Sequence, residues 1–215
     1  MDIKSYLETV KELNASMYSY SDEGEFRTTG WGRLFMVIAK LPYSQEEFNR
    51  EAVEQPYNLI PRDIPVPEIP MPCEADIDIE KMKWFSRIKD DKYPLILISG
   101  DKDSGRVVFK TINLLDVETD TEFGFYNRKE NAFSVFDAAI MKQFGKFLLN
   151  HQIKKMKLKF GQNTAMELEG ENYRLLTANM EFTKYADYEQ KKMMELISES
   201  VEDQPFTLDS FEVEE

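Results

Sequence analysis

Six of the nine prolines in this chain fall within PYNLIPRDIPVPEIPMP, residues 56–72. Each one removes an amide donor and pushes the preceding residue into extended backbone, so neither a helix nor a central strand can run through. The stretch reads as a semi-rigid, extended connector. It divides the 215 residues into a short segment, 1–55, and a longer compact pattern, 76–183, with the connector covering 56–75 and a helix and acidic tail filling 184–215. No low-complexity tract or internal repeat is visible.

Ahead of the connector, Ile3, Leu7, Val10 and Leu13 recur at spacings of three and four, which predicts an amphipathic helix over about Asp2 to Asn14. Two strand-like runs follow, ASMYSYS and EFRTTGWGRLFMVIAKL, joined by the turn DEG. Ser44 precedes SQEEFNREAV in N-cap position, with Glu47 placed to complete a capping box.

After the connector, DIDI reads as a strand and EKMKWFSRIKDD as a helix with Met82, Phe85 and Ile88 inward. Four strands follow (YPLILIS, GRVVFKTINLL, TEFGFYN, AFSVF), then a helix, DAAIMKQFGKFLLN, whose inward face is Ile140, Met141, Phe144, Phe147 and Leu148. Three strands close the unit: IKKMKLKF, TAMELEG and NYRLLTANMEF. This order predicts an α+β fold, with hairpin-connected, mainly antiparallel sheets covered by two helices.

Charge and cysteine usage exclude several classes. Lys and Arg total 27 against 40 Asp and Glu, giving a net charge of −13. A uniformly basic nucleic-acid binder is therefore excluded, whereas binding through one local basic face is not. One cysteine, Cys73, and one histidine, His151, leave no disulfide framework and no His/Cys zinc set, so no cofactor or metal is expected. No apolar h-region opens the chain, and no run approaches the roughly 18 apolar residues of a membrane helix, so a soluble protein working inside a cell is expected.

Both helices after the connector carry cations opposite their apolar stripe: Lys83 and Arg87 on the first, Lys142 and Lys146 on the second. In the next strand Lys155, Lys157 and Lys159 alternate with Met156, Leu158 and Phe160. From Lys142 through Lys159 there is no acidic residue. A solvated helix face accounts for such lysines, and so does a surface that tracks nucleic-acid phosphates without reading bases. Charge alone leaves both readings open.

The element order, together with the connector IPVPEIPMP entering DIDIEKMKWFSRIKDD and the run KMKLKFGQNTAMELEGENYRLL, resembles the DNA polymerase sliding clamps of T-even-like bacteriophages, relatives of proliferating cell nuclear antigen. The likeness spans roughly residues 62–182. It implies a clamp-like domain with antiparallel sheets and two helices on one face, preceded by a shortened related N-terminal domain. It implies a non-enzymatic processivity factor, homotrimeric, encircling duplex DNA and tethering a DNA polymerase, with a clamp loader or late transcription factors as further partners, in the cytoplasm of an infected bacterial host. It places Lys83, Arg87, Lys142 and Lys146 in the channel, joined by Lys4 and Lys11 of the opening helix. It also makes Tyr57, Leu59 and Ile60 partner contacts beside the connector. The N-terminal part amounts to about half a domain, which leaves two options: a pared-down first domain, or a relative that no longer closes a ring.

Other candidates have simpler readings. Asp76, Asp78 and Glu80 read as an exposed strand face running into a helix N-terminus. Asp101, Asp103 and Gly105 in DKDSG lack the closing Glu of a calcium loop and read as a hairpin turn. In the tail, Phe206, Leu208 and Phe211 stand among acids, in the manner of a short docking motif or of a solubilising strip. They support a second functional reading: a non-ring, clamp-like regulatory protein binding replication or transcription proteins through its connector and tail.

Overall fold

The computed structural model describes residues 3–30, 34–54, 56–71, 73–90, 94–101, 107–112, 131–161 and 164–180. In chain order the elements are α1 (Ile3–Glu12), β1 (Met17–Tyr20), β2 (Glu25–Thr29), β3 (Phe35–Lys40), α2 (Gln45–Val53), β4 (Ile60–Pro61), β5 (Cys73–Asp78), α3 (Ile79–Ser86), β6 (Leu95–Asp101), β7 (Val107–Ile112), β8 (Asn131–Asp137), α4 (Ala138–Asn150), β9 (Lys155–Phe160), β10 (Met166–Glu169) and β11 (Tyr173–Thr177). The predicted strand TEFGFYN, the tail helix and Phe206, Leu208 and Phe211 lie outside the described residues, as do Asp103 and Gly105.

The strands form an eight-stranded sheet, ordered β4-β1-β2-β3-β11-β10-β9-β5, and a three-stranded sheet, β7-β6-β8. Among the described residues all pairings are antiparallel except β1 with β4. The segments on either side of the connector thus share one sheet, joined where β3 pairs with β11 from Phe35↔Thr177 to Ala39↔Tyr173.

A repeat emerges that the sequence does not display. A strand enters a helix twice, as β5–α3 and as β8–α4, and each leading strand pairs with the other unit: β5 with β9, β8 with β6. The helices α3 and α4 pack at the centre. A Cβ added at Gly145 of α4 would stand 2.7 Å from Phe85 Cβ, so only glycine permits this approach. Likewise α1 and its meander β1–β2–β3 echo α4 and β9–β10–β11, and the two meanders meet edge to edge. Even the helix ends match. Asn14 and Gln152 have φ of 59° and 54°, and Ala15 N–H donates to Val10 O as Ile153 N–H does to Leu148 O.

Alternation along the strands sets two faces. Phe35, Val37, Ala39, Ala75, Ile77, Met156, Leu158, Phe160, Leu168 and Leu175 join the helices in the main core. Tyr6 of α1 touches Phe147 of α4 edge-on at 6.5 Å and Phe48 of α2 at 5.9 Å. Met17, Met36, Ile38 and Leu176 point to the opposite face, where Ile64 of the connector covers them. Residue Ser44 caps α2 with the full capping box, Glu47 reaching back to its N–H at 2.8 Å.

Three local readings change. The run EFRTTGWGRLFMVIAKL is two strands, β2 and β3, parted at Gly30. Cys73, placed in the connector by its neighbouring prolines, is buried and opens β5, because Cys73, Ala75 and Ile77 alternate inward along the strand. Helix α3 ends at Ser86, so Arg87 lies in the closing turn, its N–H donating to Trp84 O at 3.0 Å.

Candidate nucleic-acid interface

The apolar stripes of α3 and α4 fix which side chains face solvent. Met82, Phe85 and Ile88, and Met141, Phe144, Phe147 and Leu148, are buried, which turns Lys83, Arg87, Lys142 and Lys146 outward. Asp78 Oδ1 accepts from Glu80 N–H at the start of α3, and Asp137 Oδ1 accepts from Ala139 and Ile140 N–H at the start of α4. Both caps place an acid where the helix dipole favours it.

Two of the four cations have counter-ions nearby. Lys142 Nζ lies 2.5 Å from Asp90 Oδ1, a contact across the α3–α4 pair. That hydrogen bond, the largest influence, holds the Asp90 carboxyl below its usual range, and Lys146 adds to the effect through space. Lys83 Nζ pairs with Glu80 at 2.6 Å. Arg87 is exposed. On α1, Lys4 and Lys11 are exposed beside Glu8 and Glu12, so this helix surface is charge-balanced. The positive excess therefore sits on α3 and α4.

The lysines of β9 belong elsewhere. Met156, Leu158 and Phe160 face the helices, so Lys155, Lys157 and Lys159 face the opposite side of the sheet. Acids meet them there. Lys157 pairs with Glu74 at 3.2 Å, Lys159 with Glu169 at 2.6 Å, and Arg174 makes a two-pronged contact with Glu167 at 3.0 and 2.8 Å. Each pair is diagonal: the register sets Glu74 opposite Lys159, and Lys157 opposite Glu169. The acid-free run from Lys142 to Lys159 is thus split between two faces, and only its helical part adds to the candidate interface.

The residues read as partner contacts take different positions. Leu59 is buried in the core, Tyr57 packs partly buried against it, and Ile60 is exposed on β4 at the sheet edge. Sequence reading missed Asp90 as the counter-ion of Lys142. The acidic pair closing WFSRIKDD was its available signal.

Among the described residues, no group of three or more His, Cys, Asp or Glu side chains is arranged to hold a metal ion. No helix among them is long and apolar enough to cross a membrane.

No family model matches the sequence, and no curated protein does. Solved structures do resemble it. A PCNA2–PCNA3 complex from Sulfolobus tokodaii aligns with TM-score 0.57 and 13% identity, over 82% of this chain and 95% of that one. PCNA from Thermococcus kodakaraensis gives 0.51 and 11%, over 84% and 98%. The DNA polymerase III β subunit from Thermotoga maritima gives 0.50 and 11%, over 85% of this chain and 64% of that one. At these identities the likeness is one of fold. The α+β fold, a large sheet with few helices, is that of these clamp proteins.

Proposed function

We propose that this chain is a DNA sliding clamp, a non-enzymatic processivity factor that closes a ring around duplex DNA and tethers a DNA polymerase of the T-even-like phage type. The observation that carries this reading is the solvent side of the α3–α4 pair, where Lys83, Arg87, Lys142 and Lys146 gather in a chain of net charge −13. A ring holds DNA by topology, so its lining has only to keep the duplex centred. Weak, salt-sensitive phosphate contacts permit sliding where strong ones would arrest it. Lys4 and Lys11 extend this lining from α1, and the acidic remainder of the surface keeps DNA off the outside. A homotrimer is the assembly proposed, with segments 1–55 and 76–183 acting as a reduced and a complete clamp-like domain. A loader and late transcription factors are further partners.

Two measurements test it. Light scattering at micromolar protein is expected to give roughly three times the 25.2 kDa chain mass, the value for a closed three-fold ring. Replacing Lys83, Arg87, Lys142 and Lys146 together with Ala should leave folding intact and weaken DNA-dependent stimulation of the polymerase. Unchanged stimulation would remove these residues from the interface.

A further inference from the structure

The helices of the described residues stand in a row. Tyr6 of α1 touches Phe48 of α2 on one side and Phe147 of α4 on the other, and Gly145 of α4 lies against Phe85 of α3, so the order is α2, α1, α4, α3. The row has two unlike ends. At one are α2 and β4, the last strand of the large sheet, tied by Leu59 N–H donating to Ala52 O at 2.8 Å. At the other, half-buried Trp84 of α3 leans on Phe109 of β7, and the segment after α3 exposes Arg87 and Lys89.

The β4 edge is sealed against another strand. Ile60 and Arg62 turn their N–H groups inward, to Ser16 O and Tyr18 O. Backbone groups alternate sides along a strand, which leaves Pro61 facing outward, and proline has no N–H to offer. An edge without a donor does not template pairing, so whatever meets this end meets its side chains. Of three large apolar side chains exposed among the described residues, Leu34, Val53 and Ile60, two belong here. Beside Val53 a cleft of about 580 Å³ opens between Tyr18 and the α2 residues Glu46, Glu47, Asn49 and Arg50. Asn49 Oδ1 is buried without a hydrogen-bond partner among the described residues, so a donor is missing on this side. Exposed Glu46, Glu47 and Glu54 outnumber Arg50. A complementary surface brings apolar contact, a donor and positive charge. The far end of the row carries all three, in Trp84, Arg87 and Lys89.

We propose that α2 and β4 of one copy pack against the α3 end of the next, a head-to-tail contact made by side chains around Val53 and Ile60, with no strand pairing at β4. Repeated about an axis, it continues the row of helices from copy to copy. It rests on the ring assembly of the proposed function and names the surface that closes it.

The test is light scattering of the full chain over a range of concentrations, with circular dichroism melts as the folding control. Val53→Asp with Ile60→Asp should weaken association by about tenfold or more, as should Arg87→Glu with Lys89→Glu at the other end. All four side chains are exposed, so the melts should stay with the wild type. Each doubly substituted chain keeps one intact end. Mixing the two should therefore yield a one-to-one complex of roughly twice the chain mass, which neither forms alone. Leu34→Asp, as exposed as Val53 but at the start of β3 in mid-sheet, should assemble like the wild type. A trimer that both pairs of substitutions leave intact, or a mixture without the one-to-one complex, would overturn the contact and leave the ring standing. Assembly that needs both ends but stops at a mass other than three copies would overturn the trimer and leave the contact standing. A wild type that stays monomeric at every concentration would overturn both.

Discussion

Lys142 of α4 and Asp90, in the segment after α3, form an ion pair of 2.5 Å at the edge of the proposed DNA-facing surface. Both side chains are about one-quarter exposed, so the pair contributes little to stability, but it sets how much of the Lys142 charge is available to a phosphate. Asp90 and an incoming phosphate compete for the same ammonium.

Asp90→Asn should therefore strengthen binding to duplex DNA by a few-fold at low salt. If the released lysine gains one phosphate contact, the slope of log affinity against log salt steepens by about 0.9. Fluorescence anisotropy across a salt series measures both. An unchanged slope would mean that Lys142 does not meet DNA.

Gly145 should tolerate nothing larger. Its added Cβ would meet Phe85 Cβ at 2.7 Å and the Phe85 carbonyl carbon at 2.8 Å, and backbone atoms cannot turn aside. Alanine gains up to about 1 kcal/mol in helix propensity, while overpacking costs about 1–3 kcal/mol, so the variant should be destabilised overall. Gly170→Ala is the control. Its Cβ would meet the sulfur of Met156, the flexible end of a side chain that can swing away. Urea denaturation should show the larger loss for Gly145→Ala.

Legibility in the sequence followed the range of each interaction. The capping box of Ser44 and Glu47 is contained in four residues and was readable, as was the in–out alternation of β9. The pairing of β3 with β11 joins residues more than 130 positions apart, and no local pattern announces it. The repeat of α1–β1–β2–β3 in α4–β9–β10–β11 stayed hidden for a related reason. Burial requires apolar side chains at matching places but not the same ones, as Tyr6 of α1 and Phe144 of α4 illustrate. The candidate interface was half legible. Helical spacing set its lysines opposite the apolar stripes, but the separation of Lys142 and Lys146 from the β9 lysines depends on which side of the sheet each faces.

Acid should weaken the ion pairs of both faces. Hydrogen bonds from Lys159 and from Lys142, respectively, hold the Glu169 and Asp90 carboxyls below their ordinary values. A carboxyl lowered in the folded state contributes stability above its unfolded pKa of about 4, and the contribution is lost as pH falls through the lower folded value. Urea midpoints should therefore decline below about pH 4, each partly exposed pair accounting for less than about 1 kcal/mol. Glu169→Gln, which has no carboxyl to protonate, should start lower at neutral pH and lose less on acidification. An identical acid limb in the variant would show that Lys159–Glu169 contributes nothing measurable.

The connector should tolerate lengthening better than shortening. Between β4 and β5 lie seven strand spacings of about 4.8 Å, or roughly 34 Å of sheet. Pro61 to Cys73 is twelve residue steps, and extended proline-rich backbone at about 3.1 Å per step covers roughly 37 Å. Little slack remains, and residues 62–71 accordingly run without a turn. Deleting Pro67 and Glu68 would shorten the reach by about 6 Å, so either the two-residue pairing of β4 with β1 or the end of β5 must give way. The β4 pairing is the weaker, and amide exchange at Ile60 and Arg62, which donate to Ser16 O and Tyr18 O, should accelerate. Inserting two glycines at the same point adds length without tension and should cost about 1 kcal/mol or less. Equal effects from deletion and insertion would mean that the connector carries no tension and that its prolines serve only to exclude regular structure.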